Sequence, residues 1–166
     1  MLSTEHRSLV AVVSPLDMGF ASALRSLAES EGLTCRVIDS DAPGQDVFDT
    51  DFLSSFLASA DVVVCNTLTE KGSKESFWQW NVGATRAVCV AAALVGVKNF
   101  VMIASPKIGE GFKADNDSST LLRSLFRGEM EAADAAELGL NVSFVRSLDP
   151  NAVLSAFYPN PKTENI

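Results

Sequence analysis

Short β-branched runs alternate with stretches of helical period along the chain. Leu9–Val13 (LVAVV) is almost continuously apolar and predicts a buried strand. Phe20, Ala23, Leu24 and Leu27 then recur at helical spacing, and Gly32 follows as a stop signal. Thr34–Ile38 predicts a second strand and Asp46–Phe48 a short third one. Asp51–Ala60 predicts a helix with Phe52, Phe56 and Leu57 on one face. Asp61–Cys65 (DVVVC) reads as a buried strand, followed by the polar loop NTLTEKGSKES and a long helix from Phe77 to Val95. Lys98–Ala104 (KNFVMIA) and Asn141–Val145 complete the strands. Between them lie a loop with Pro106, Gly109, Gly111 and the polar tract Lys113–Ser119, and a helix from Thr120 to Leu138 that Gly139 ends.

Strands alternating with helices predict one α/β domain, a doubly wound parallel sheet with helices on both faces. Right-handed crossovers then put any ligand at the carboxyl ends of the strands. Residues 1–8 are expected to be a flexible start, 9–150 the domain, and 151–166, which includes FYPNPKTENI, an irregular tail.

Composition narrows the function. The chain has 166 residues, is 47% hydrophobic and 20% charged, and carries a formal net charge of −8. So acidic a chain lacks the clustered Lys and Arg that nucleic acid or an anionic membrane calls for. The longest apolar run, Val88–Val97, is roughly half a membrane span and is closed by Lys98, which argues against membrane insertion. The N-terminal residues are not apolar enough to predict a secretory signal there. Cys35, Cys65 and Cys89 lie far apart in apolar runs, the pattern of buried free thiols in a reducing compartment rather than a metal site. The expected location is intracellular, the cytoplasm ahead of an organelle. His6 is the only histidine, which removes His-dependent triads, and PKIGEGFK lacks the GK[ST] ending of a P-loop. Glu129, Glu131, Asp134 and Glu137 read as a solvated helix face, paired in part with Arg123 and Arg127.

Three segments carry a resemblance. SKESFWQWNVGATRAVCVAAALVG, with Asn81-Val82-Gly83-Ala84-Thr85, is similar to an N-x-G-T helix. GVKNFVMIAS is similar to the strand that follows it. RGEME (Arg127–Glu131), then ELGL and a strand ending in Arg146, is similar to a KGExE helix and its strand. Together, over residues 9 to 150, they resemble the atypical or extended short-chain dehydrogenases, nearest the Tat-interacting oxidoreductase-like branch that borders the NmrA-like proteins. The resemblance implies a Rossmann-like NAD(P)-binding domain. Its implied cofactor positions are Gly19 in the first turn, Asp39 at the ribose, Asp49 at the adenine pocket and Asn66 after DVVV. Its implied catalytic positions are Ser105, Arg123 and Arg127.

The pattern is degenerate at three places. The G-x-x-G-x-x-G turn of the family is here Ser14-Pro15-Leu16-Asp17-Met18-Gly19, where proline removes an amide donor and Asp17 places a carboxylate near the phosphates. Asp17 also suits a helix N-cap. Asn66-Thr67-Leu68-Thr69 brings bulk where relatives have glycine. The Tyr-x-x-x-Lys pair, whose lysine lowers the tyrosine pKa for proton transfer, reads Arg123 and Arg127, and the only tyrosine is Tyr158. The chain runs on from Arg146 only to Ile166, so the substrate-binding part of the family is expected to be truncated. These losses lead to the expectation of a non-catalytic protein-interaction or assembly subunit without a cofactor. The alternative is an NAD(P)-dependent oxidoreductase with a non-standard motif, using NAD or NADP. Helix 77–95, apolar on nearly all sides, is the expected surface for a protein partner or a homodimer. Trp78 and Trp80, two apart, should face opposite ways, one inward and one out.

Overall fold

The structure is a computed structural model that describes residues 8–109 and 119–158. The expected flexible start, His6, the tract from Glu110 to Ser118 and the chain beyond Tyr158 lie outside the described residues. Five parallel strands form one sheet: β1 (Leu9–Val13), β2 (Thr34–Val37), β3 (Val62–Cys65), β4 (Asn99–Ile103) and β5 (Asn141–Val145), in the order β2-β1-β3-β4-β5. The helices are α1 (Met18–Ser30), α2 (Thr50–Leu57), α3 (Lys74–Phe77), α4 (Thr85–Leu94), α5 (Thr120–Ala136) and α6 (Pro150–Phe157).

Alternation along the central strands divides the core. Val10 and Val12 of β1 pack with Phe20, Leu24 and Ala28 of α1 and Val153 and Leu154 of α6. Ala11 and Val13 point the other way, into a layer with Leu53 and Leu57 of α2, Val88 and Ala92 of α4, and Ala132 and Ala135 of α5. Each Val, Leu or Phe among them contributes about 1.5–3 kcal/mol when fully buried, so both faces of the sheet are held by apolar burial. Gly32, at φ +82°, takes the left-handed turn that ends α1 and lets the Leu33 amide reach Ala28 O at 3.0 Å.

Four expectations need correction. Asp46–Phe48 is a turn, because the Asp46 and Asp49 carboxylates accept the Phe48 and Phe52 amides (2.9 and 3.1 Å) and bend the chain into α2. The tail is not irregular from residue 151: Asp149 caps a helix whose first residue is Pro150, and Val153 and Leu154 bury it against α1. The long helix begins at Lys74 under a Ser73 cap and passes through a π-helical turn, Trp78–Ala84, before α4. Finally, the acids of α5 are not simply a solvated face. Glu129 and Glu131 have side chains only 13% and 11% exposed and pair with Arg146 and Arg86 on other elements, while the i+4 pair Arg127–Glu131 does form at 3.1 Å.

Candidate functional site

The strand order reverses between β1 and β3, the switch point where doubly wound sheets take ligands. An open cleft of about 660 Å³ lies there, at the carboxyl ends of β1, β3, β4 and β5. Its walls come from the turn after β1 (Leu16, Asp17), the loop after β3 (Asn66 to Lys71), the end of β4 (Ile103 to Pro106) and the segment after β5 (Arg146 to Leu148).

The turn after β1 is closed by its own hydrogen bonds. Asp17 Oδ1 accepts the Phe20 amide at 3.0 Å and so caps α1. Ser14 Oγ donates to the Asp17 carbonyl (2.8 Å) and accepts from Asn66 Nδ2 (3.0 Å). Ser14 is fully buried and Asn66 is 4% exposed, so the β1 turn and the β3 loop are locked together at the floor of the cleft.

A second network fixes the far wall. Asn81, within the π-helical turn, treats the loop residue Thr69 as a strand would: its Oδ1 accepts the Thr69 amide at 2.8 Å and its Nδ2 donates to the Thr69 carbonyl at 3.0 Å. The same Nδ2 reaches Ser124 Oγ of α5 at 3.0 Å. Thr85 Oγ1 donates to the Asn81 carbonyl (2.9 Å) and meets Thr67 Oγ1 at 2.7 Å. Gly128 makes this arrangement possible, since a Cβ there would collide with the Asn81 carbonyl oxygen.

Across the cleft, Ser105 is 1% exposed; its hydroxyl donates to Glu70 Oε1 (2.8 Å) and accepts the Lys107 amide (3.1 Å). Lys107 Nζ stands 3.7 Å from Glu70 Oε2. Arg146 grips Glu129 with both terminal nitrogens (3.0 and 2.6 Å) and donates to the Ser105 carbonyl (2.9 Å). Hydrogen bonding to Glu129 pushes the Arg146 pKa further up, so the guanidinium keeps its charge.

Of the residues singled out from the sequence, Asn66 and Ser105 line the cleft, together with Asp17. Gly19 does not; a Cβ there would meet only Asp17 Oδ1, at an ordinary 3.5 Å. Asp39 accepts the Asp41 amide at 3.0 Å in a turn, and Asp49 caps α2. Arg127 pairs with Glu131, which Arg86 also holds at 2.6 Å, and neither Arg123 nor Arg127 lines the cleft. The hydrogen bond from Arg86 is the main cause that holds the Glu131 carboxyl below its usual range. Sequence reasoning missed Glu70 as the partner of Ser105; the two are 35 positions apart, and no local pattern joins them.

No protein-family model and no curated protein matches the sequence. Solved structures do. A UDP-glucose 4-epimerase from Brucella ovis in complex with NAD aligns with a TM-score of 0.67 at 20% identity, over 82% of this chain and 50% of that one. A short-chain dehydrogenase/reductase superfamily protein from Agrobacterium tumefaciens with bound NAD gives 0.64 at 19% identity, over 83% and 48%. The fold is the Rossmann fold of these proteins. A UDP-glucose 4-epimerase with UDP-glucose from Thermotoga maritima gives 0.63 at 17% identity, over 83% and 54%. The chain thus spans about half the length of the solved structures it matches.

Proposed function

We propose that this domain is a degenerate relative of the short-chain dehydrogenases that performs no dehydrogenase chemistry and serves as a protein-interaction or assembly subunit. The observation that carries the reading is the Asp17 cap. In the fold, a dinucleotide rests its pyrophosphate on the N-terminus of the first helix. Here a carboxylate already accepts the Phe20 amide at that place, and Pro15 offers no amide at all. Each phosphate charge at ~4 Å from the carboxylate is opposed by about 4 kcal/mol at an effective dielectric near 20. Micromolar affinity corresponds to about 8 kcal/mol, so this repulsion alone cancels about half of it. The residues of this turn do not fit a pyrophosphate. Nor does α5 supply a proton-transfer pair, since Arg127 is held by Glu131 and Tyr158 packs on the α1/α6 face of the sheet.

The helix after β3 supports the association half of the proposal. Trp80 packs inward and against Phe48 (ring centroids 5.4 Å apart), whereas Trp78, Val90 and Leu94 stand 42%, 44% and 70% exposed. A fold whose matches include NAD complexes, with a cleft at the switch point, is what favours the alternative of an NAD(P)-dependent oxidoreductase. Thermal unfolding with millimolar NAD+, NADH, NADP+ or NADPH decides between them. A ligand at a hundred times its dissociation constant adds about 2.7 kcal/mol, which for a chain of this size raises Tm by roughly 5–11 °C. No shift is expected; a rise of that size with any of the four would overturn the reading.

A further inference from the structure

The segment that follows β2 is anionic. Between Arg36 and Lys71 the chain carries Asp39, Asp41, Asp46, Asp49, Asp51, Asp61 and Glu70 but no Lys or Arg. Ser40 Oγ donates to the Pro15 carbonyl at 3.2 Å and ties this acidic loop to the turn that bears Asp17. The described residues give Asp17, Asp39 and Asp41 no ion pair. The cations near the cleft are largely spoken for: Arg146 by Glu129, Lys107 by Glu70. Among the described residues that line the cleft, Lys71 is the cation without an ion pair, exposed at the rim.

A second observation points into the cleft. Asn66 is 4% exposed, and its Nδ2 bond to Ser14 fixes the amide. Its Oδ1 accepts nothing from the described residues, yet it is not sealed from solvent, so it opens on the cleft that Asn66 lines. A free acceptor and an unpaired carboxylate thus share one floor beneath an apolar rim. Leu16 and Leu148 stand 46% and 51% exposed there, with Leu68 and Pro106 beside them.

We infer that this cleft takes an arginine side chain of a partner protein, its guanidinium between Asp17 and Asn66 Oδ1 and its flanking apolar residues on the leucine rim. A guanidinium presents several donors in one plane and no acceptor, which suits two acceptors that line one cleft. Its aliphatic stem suits the apolar walls. The inference rests on the reading that the turn no longer takes a dinucleotide, and it names the partner's chemistry.

The test titrates 15N-labelled protein with the blocked peptide acetyl-Ala-Leu-Arg-Leu-Ala-amide. The Asn66 side-chain amide and the Phe20 amide are followed. Saturable shifts at both are expected, with at least tenfold weaker binding when citrulline replaces arginine and none when glutamate does. Asp17→Asn, which keeps the helix cap, should weaken the arginine peptide tenfold or more. Leu148→Lys, at the exposed rim, should weaken it without touching the floor. No shift at millimolar peptide, equal affinity for the citrulline peptide, or an unchanged Asp17→Asn variant would each overturn the inference. Butylguanidinium binding as tightly as the peptide would also overturn it, by making a free small cation the ligand. NAD+ titrated into the same sample reports on the parent reading: shifts with NAD+ sink that reading, while silence from both ligands sinks only this inference.

Discussion

Replacing Gly128 with alanine should destabilise the domain, although alanine is the better helix former. Gly128 lies in the middle of α5, where glycine costs about 1 kcal/mol relative to alanine. On propensity alone Gly128→Ala would stabilise. The added methyl, however, meets the Asn81 carbonyl oxygen, a backbone atom that also accepts the Thr85 hydroxyl and cannot swing aside like a side chain. Overpacking of this kind costs about 1–3 kcal/mol. Moving α5 away also stretches the 3.0 Å bond from Asn81 to Ser124, which adds about 1 kcal/mol. The net loss is about 1–3 kcal/mol, or roughly 2–12 °C in Tm for a chain of this length. Denaturant melts of wild type and variant measure it, with Gly19→Ala as control, since a Cβ there meets nothing closer than 3.5 Å. A Gly128→Ala protein as stable as wild type would refute the claim that close approach, rather than chance, keeps glycine in this helix.

The three cysteines should be inert in the folded protein. Burial pushes Cys35 up to about 11 and Cys65 up to about 12, and raises Cys89 as well; a thiol reagent at pH 8 should label none of them until denaturant is added, and labelling of native protein would contradict their burial. The same shifts set an alkaline limit. Unfolded thiols lose their proton near about pH 8.5 while the folded ones keep it, so the unfolded chain binds fewer protons and stability falls as pH rises from there toward 11. Urea midpoints from pH 7 to 10 should be level at first and then decline, and the decline should weaken in Cys35→Ala. On the outer face of the helix after β3, Leu94→Glu and Trp78→Glu should disperse any oligomer or partner complex without lowering Tm by more than a degree or two; an assembly that survives both in sedimentation does not use this face.

Much of the fold was legible because local signals and burial agree. β1 and β5 begin and end where the sequence places them, and a strand such as β1, buried on both sides, needs no partner to be recognised. The failures are cases where side chains redirect the backbone. Val47 and Phe48 look like a strand fragment, but the aspartates on either side bond to the amides two and three positions on and make a turn. Ser73, capping the Ser76 amide, starts the helix inside what reads as a polar loop. Asp149-Pro150 is a helix-start signal that the prolines further along obscured.

The candidate site divides the same way. Asp17 was readable as a cap, since that role depends on residues within three positions of it. Gly128 carried a visible signal too, a glycine in the middle of a strong helical pattern, but the sequence could not say which backbone it approaches. Ser105 was visible and Glu70, its partner, was not; the serine sits at the end of one parallel strand and the acid in the loop after its neighbour, and only the pairing of β3 with β4 makes them meet. Asn66 is the decisive case. Alone in the sequence it is an ordinary loop asparagine. Once β3 lies in register on β1, with Val13 beside Cys65, the next residue must stand over the turn after β1. There Ser14 accepts one end of its amide, and Asn66 lines the same cleft as Asp17.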